Sequence, residues 1–371
     1  MKATRWALAA LLAVLSGCGP KAEPEPLYIG HLLPLTGPDR ARGEEARQGV
    51  RLAVEEALTA DVRCAGRPLA VRHVDDRGDA ETVRAEATRL LAVNRVPALL
   101  GGVDPALNQA LARTVQPSGV PVLLPTELPE PPRADNIFCL EVSPAERGRA
   151  LAGFAHEDLK ATRAAVVVRE GDPVAGTLAA AFVEEWKRDR RREVRQLSLK
   201  KEGDPAEALL EVSGSKADVV LLAVPPDDFV PLRRRLPADR LLLYGGADAG
   251  PASLAGEKDG AAVYLATVFC HDALTEQGRE FAARYEKEFQ GPPDLVAAQA
   301  YDGVRLLFEA LARAGPTPAK LREYLGGLED WATVTGPLSL KDHRTRRPLF
   351  VVRRQGSEEK LMKTIPPEKG K

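Results

Sequence analysis

Short runs of Val and Leu alternate with amphipathic stripes along most of the chain, and this alternation limits the fold more than any other feature. Pro97–Leu100, Val120–Leu124, Ala164–Val168, Val219–Val224 and Leu241–Tyr244 are apolar on successive residues. Such runs read as parallel strands covered on both faces. Between them lie stripes at about 3.6-residue spacing. In Glu44–Leu58 the stripe is Ala46, Val50, Ala53, Val54, Ala57 and Leu58. In the next it is Ala80, Val83, Ala87, Leu90 and Leu91, with Asp79 placed to cap it. Ala145–Leu159, Ala175–Lys187, Ala206–Val212 and Phe229–Leu236 continue the pattern. After Cys270 come two long helices, Leu274–Phe289 and Leu295–Ala314, and a shorter one, Pro318–Leu325. Alternating strands follow over Gly336–Met362, with a charged turn at Lys341–Arg347. The order predicts an α/β protein with right-handed βα crossovers. Roughly ten βα units exceed one ordinary open sheet, so two lobes are expected.

The first residues stand apart. Lys2 and Arg5 precede the apolar run Trp6–Leu15, which is shorter than the roughly 20 residues that cross a bilayer. Residues 1–17 read as an export signal. Leu15-Ser-Gly-Cys18 resembles the bacterial lipobox, which implies lipidation of Cys18 and a membrane anchor; a plain signal peptide or a buried helix is the alternative. Residues 18–26 form a proline-rich tether. The whole chain is 28% charged with a net charge of −1, so no basic excess points to nucleic acid. The basic run Lys187–Arg195 closes a helix and reads as a solvated face. Three cysteines follow Cys18: Cys64, Cys139 and Cys270, enough for one bridge. No nucleophile elbow, phosphate loop or zinc-protease signature is present, so neither an enzyme nor a cofactor is expected. The five histidines are dispersed, and Cys270 and His271, as neighbours on an extended segment, point to opposite faces. Aromatic residues make up 5%, too few to favour a sugar site.

Several fragments carry a resemblance in their order and spacing. They are Tyr28-Ile-Gly-His-Leu-Leu-Pro-Leu-Thr-Gly-Pro38, the helix through Gly43 and Gly49, Val74-Asp-Asp76, and Leu100-Gly-Gly102. Gly119-Val-Pro-Val-Leu-Leu-Pro-Thr126, Phe138–Pro144 and Thr335-Gly-Pro-Leu-Ser-Leu-Lys-Asp342 complete the set. Together they resemble the type I periplasmic binding proteins of the branched-chain amino acid (Leu/Ile/Val) ABC-transporter class. The resemblance implies two Rossmann-like lobes joined by three crossing segments, near Cys139–Ser143, Ala266–His271 and Trp331–Gly336. Lobe 1 would comprise residues 27–141 and 270–335, lobe 2 residues 142–269 and 336–362, and residues 363–371 a disordered tail. It further implies hinge closure on a small ligand of the amino acid, amide or small organic acid class, an ABC-transporter permease as partner, and a monomer. A ligand-sensing or regulatory lipoprotein acting by protein contact is the alternative. Adjacent crossings suggest a Cys139–Cys270 disulfide.

Ligands of such sheets sit beyond the carboxyl ends of the strands. On that basis the candidate ligand residues are Thr36, Arg42, Gly101, Gly102, Asn108, Thr126, Glu127, Asp172, Asp227 and Asp248. Arg42 offers a bidentate clamp for a carboxylate. The loop acids and Asn108 have a second reading as caps and turn formers, Asp104 before Pro105 among them. Gly101 and Gly102 read either as backbone open to a ligand or as a tight strand-to-helix turn. Amino-acid-binding members place hydroxyls where this chain has Pro105 and Leu128, with Thr126 nearest. They place an acid at Ala247, beside Asp248, and aromatics at Arg42, Val174 and Pro225. The resemblance therefore extends to the scaffold and leaves the ligand open.

Overall fold

The computed structural model describes residues 24–128, 134–200, 205–236, 240–245, 262–343, 345–356 and 358–367. Cys18 and Asp248 lie outside them.

The expected alternation resolves into two sheets. In the first, β1 (Leu27–Leu33) lies between β3 (Arg67–Asp75) and β4 (Leu99–Leu100), followed by β5 (Val122–Leu124) and β6 (Ile137–Cys139), all parallel. A short β2 (Arg63–Cys64) pairs antiparallel with the outer side of β3. Helices α1 (Arg40–Thr59), α2 (Ala80–Ala92) and α3 (Pro105–Val115) connect these strands. In register, His31 of β1 stands beside His73 of β3 and Leu100 of β4. Strand order reverses between β1 and β4. The connections there leave in opposite directions and open a crevice at the carboxyl ends.

The second sheet runs β8 (Glu193–Leu199), β7 (Arg163–Arg169), β9 (Val219–Ala223), β10 (Leu241–Tyr244) and β11 (Val263–Thr267) in parallel. Antiparallel β14 (Leu349–Gln355) and β15 (Glu358–Ile365) complete it. Its helices are α4 (Pro144–Glu157), α5 (Pro173–Trp186), α6 (Pro205–Gly214) and α7 (Pro226–Arg235). Trp186 ends α5 stacked on Phe182 at 5.5 Å and donates to Glu193 O, so it serves packing. The later helices, α8 (Glu276–Phe289), α9 (Leu295–Ala314) and α10 (Pro318–Gly326), contribute Phe281, Leu307 and Leu321 to the first lobe's core. Helix α8 starts two residues later than its apolar stripe because Thr275 caps it, accepting from Gly278 N–H. Helices α1 and α9 approach so closely that a Cβ on Gly49 would lie 2.1 Å from Ala297 O.

Three passages join the sheets, and one residue from each forms a small apolar cluster: Val142, Val268 and Leu349. The third passage differs from the sequence expectation. Hairpin β12 (Trp331–Thr333) and β13 (Gly336–Leu338) stays with the first lobe, because Leu338 and Leu340 are buried in its core. The chain crosses between Leu340 and Leu349 instead. Arg347 lies in that crossing, buried, and donates to Leu140 O at 2.9 Å and to Thr333 and Thr335 Oγ1 at 3.3 Å. Thr335 in turn donates to Val268 O at 2.7 Å. One guanidinium thus ties all three passages.

Three further expectations are corrected. The Cys139–Cys270 disulfide is absent: both are free thiols, Cys139 packing against the β4–β5 core of the first lobe and Cys270 within the core of the second. Residues 363–365 are not a tail, since β15 continues through Ile365 and Lys363 pairs with Glu157 and Asp158. The end of the tether is held, because Arg67 donates to Glu25 O and Pro26 O at 2.8 Å.

Candidate functional site

At the β1–β4 reversal lies a cavity of about 30 Å³. The strand-end loops supply Gly101, Gly102, Val103, Pro125, Thr126 and Glu127. Helix α1 adds Arg42 and Ala46, and α9 adds Leu295, Val296, Gln299 and Ala300. His31 reaches it from β1, Glu141 from the first crossing, and Arg147 from the first turns of α4. Since α4 packs in the second lobe, the cavity is shared across the crossing.

Apart from Arg42, its charged groups are buried. Arg147 and Glu127 pair at 2.5 Å, with side chains 4% and 5% exposed. Glu141 accepts from Val142 N–H at 3.1 Å and from Gln299 Nε2 at 3.2 Å. Burial pushes its carboxyl up to about 7, against the opposing pull of Arg147. Beneath, burial raises Asp302 to about 6 in spite of Arg305 and Arg347. The site therefore sets one firm ion pair beside a carboxyl close to its titration point, with Ala46, Val103, Leu295, Val296 and Ala300 as apolar walls.

Five of the sequence-derived candidates line this cavity: Arg42, Gly101, Gly102, Thr126 and Glu127. The two glycines do not offer their N–H groups to a ligand. Gly101 N–H donates to Leu123 O at 2.8 Å and Gly102 N–H to Asn108 Oδ1 at 3.0 Å. A Cβ on Gly101 would lie 2.4 Å from Asn108 Oδ1, a close approach of the kind a tight strand-to-helix turn makes. Asn108 is itself committed, donating through Nδ2 to Gly102 O at 2.9 Å and Thr126 Oγ1 at 2.8 Å. Thr126 then donates to Glu127 O at 3.0 Å. This chain fixes the two loops relative to each other.

The remaining described candidates are not among the residues that line the cavity. Thr36 donates its hydroxyl to Asp75 at 2.6 Å and shapes the loop after β1. Asp172 caps α5, accepting from Val174 and Ala175 N–H, as Asp104 caps α3. N-cap carboxylates satisfy helix N–H groups and oppose the local positive potential. Asp227 lies in the first turn of α7, whose N-terminus its charge complements. Arg42 is partly exposed, 3.9 Å from Asp39.

Sequence reading missed His31, Glu141, Arg147 and Gln299. Arg147 had a signal. It precedes Leu151 and Ala155 at four-residue steps on the buried face of α4, where an arginine needs a partner. His31 had none, because a strand covered on both faces has no polar side to violate.

The sequence matches the family described as periplasmic binding protein over residues 26–359. No curated protein matches it. Among solved structures, a branched-chain amino acid transporter substrate binding protein from Streptococcus pneumoniae in complex with isoleucine is 20% identical. It aligns with 92% of this chain and 100% of that one, with a TM-score of 0.81. A solute binding protein of an ABC transporter from Rhodopseudomonas palustris, in complex with 3,4-dihydroxy benzoic acid, is 18% identical over 93% and 99%, TM-score 0.76. A putative branched-chain amino acid ABC transporter structure from Rhodospirillum rubrum is 25% identical over 91% and 100%, TM-score 0.69.

Proposed function

Because the chain belongs to the periplasmic binding protein family, with the type I two-lobed fold, we propose that it is the extracytoplasmic solute-binding component of an ABC transporter. In this reading it takes a small solute between its lobes and closes on it, with no chemical step. The observation that carries the reading is the cavity at the β1–β4 reversal, walled by first-lobe loops and reached by Glu141 and Arg147 from the crossing and α4. At about 30 Å³ the cavity admits only one small group, so a solute engages these residues as the lobes part and close around it, and its contacts on both sides of the hinge bias the lobe arrangement.

The chemistry favours a compact solute with a charged end and an apolar body, of the amino acid, amide or small organic acid class. Arg147 and Arg42 suit a carboxylate, Glu127 and Glu141 an ammonium or amide, and the α1 and α9 side chains an apolar body. The isoleucine and dihydroxybenzoate held by two structural neighbours both fit that description. The leader ending in Leu15-Ser-Gly-Cys18 supports a lipid anchor at Cys18. A permease is the proposed membrane partner, and the protein acts as a monomer.

A thermal-shift screen tests the proposal with amino acids, amides, short-chain and aromatic acids, polyamines and sugars. A solute at about 100 times its Kd stabilises by about 2.7 kcal/mol, a rise of several degrees in Tm. The expected result is a clear rise with at least one solute of the named class. A flat profile from folded protein, with no co-purified ligand by native mass spectrometry, would contradict it and favour the same fold acting by protein contact.

A further inference from the structure

His31 holds a polar atom that the protein itself leaves unmatched. The residue is fully buried on β1 and lines the cavity. Its Nδ1 lies 3.1 Å from His73 Nδ1, so one ring nitrogen is engaged. Its Nε2 is buried and has no hydrogen-bond partner. Leaving a buried polar atom unmatched forfeits its hydration, so such an atom at a cavity marks a missing partner. Burial, reinforced by His73, holds the His31 pKa well below the ordinary 6.5, and the ring is neutral at neutral pH. In a neutral imidazole the two nitrogens play opposite roles: if Nδ1 donates to His73, Nε2 accepts, and the reverse. A hydroxyl satisfies either arrangement, because it both donates and accepts. The cavity's volume of about 30 Å³ suits a group of that size. The cavity's walls also include Ala46, Val296 and Ala300, which disfavour a further charge.

We infer that His31 Nε2 is a specificity-determining contact of the cleft, receiving a hydroxyl carried by the solute. The solute class narrows to small hydroxylated acids or amino acids. This rests on the proposed solute-binding role.

The test uses matched pairs that differ by one hydroxyl: valine and threonine, benzoate and para-hydroxybenzoate, propionate and lactate. Affinities are measured by calorimetry on the full chain in detergent. For at least one pair the hydroxylated member binds about tenfold tighter or more. His31→Phe erases that preference, so that the two members of the pair bind within about threefold of each other. His31→Gln, which keeps a hydrogen-bonding end, retains part of the preference and covers the case in which His31→Phe does not fold. In ¹⁵N spectra of the wild-type imidazole, the preferred member moves the His31 Nε2 resonance and its partner does not. Equal affinity within every pair overturns the inference, as does a preference that survives His31→Phe. If none of these solutes binds while another small solute does, the hydroxyl inference falls and solute binding stands. If no solute binds at all, both fall.

Discussion

Arg147 and Glu127 show how a single pair of residues decides the character of the cleft. Each is drawn from water, and each offsets the other's burial. Removing one partner strands the other, which costs about 3–5 kcal/mol where a buried pair is broken. Arg147→Met is therefore expected to destabilise the protein by about that amount in urea unfolding, and Arg147→Met with Glu127→Leu to recover most of the loss. A single-variant loss under about 1 kcal/mol, the range of an exposed pair, would mean that the pair is solvated. At this scale the sequence was only partly readable. Glu127 could be proposed from its place after a strand, and Arg147 could have been found from the buried stripe of α4. Asn108 and Gly102 could not be assigned from sequence, because whether an amide touches a ligand or its own loop depends on a partner six residues away in the chain.

Elements position these residues through close approach. The α1–α9 contact carries Arg42 and Ala46 on one side of the cavity and Val296 and Gln299 on another. Gly49 permits it, its Cα facing Ala297 O. Gly49→Ala forces the helices apart, with an expected loss of about 1–3 kcal/mol in thermal unfolding, although alanine is the better helix former. A neutral or stabilising result would mean that the helices are not packed this closely. Most helices and strands were legible, because periodicity and capping are local: Asp79, Asp104, Ser143 and Asp172 each cap the helix that follows. The third crossing was harder. Leu338 and Leu340 read equally well in either lobe until a core claims them, so the expected crossing fell too early.

At the scale of the whole molecule, the three passages are fastened at one place. Val142, Val268 and Leu349 exclude water there, and Arg347 links Leu140, Thr333 and Thr335. Arg347 is held against its own desolvation by Asp302 and Glu141. Glu141 also lines the cavity and holds Gln299, so the solute site and the hinge share a side chain. The two-lobed plan was legible from the number of βα units and from the family fragments. The shared charge network was not, because Glu141, Asp302 and Arg347 are far apart in sequence.

The claim that a solute binds between the lobes is tested most directly by hydrogen–deuterium exchange, with and without a saturating solute that raises Tm. The account predicts slower exchange together in the loops at 101–104 and 125–128, in α1 around Arg42, and in the segment 141–147 that leads into the second lobe. Protection confined to a surface away from these segments, or none at all, would contradict it.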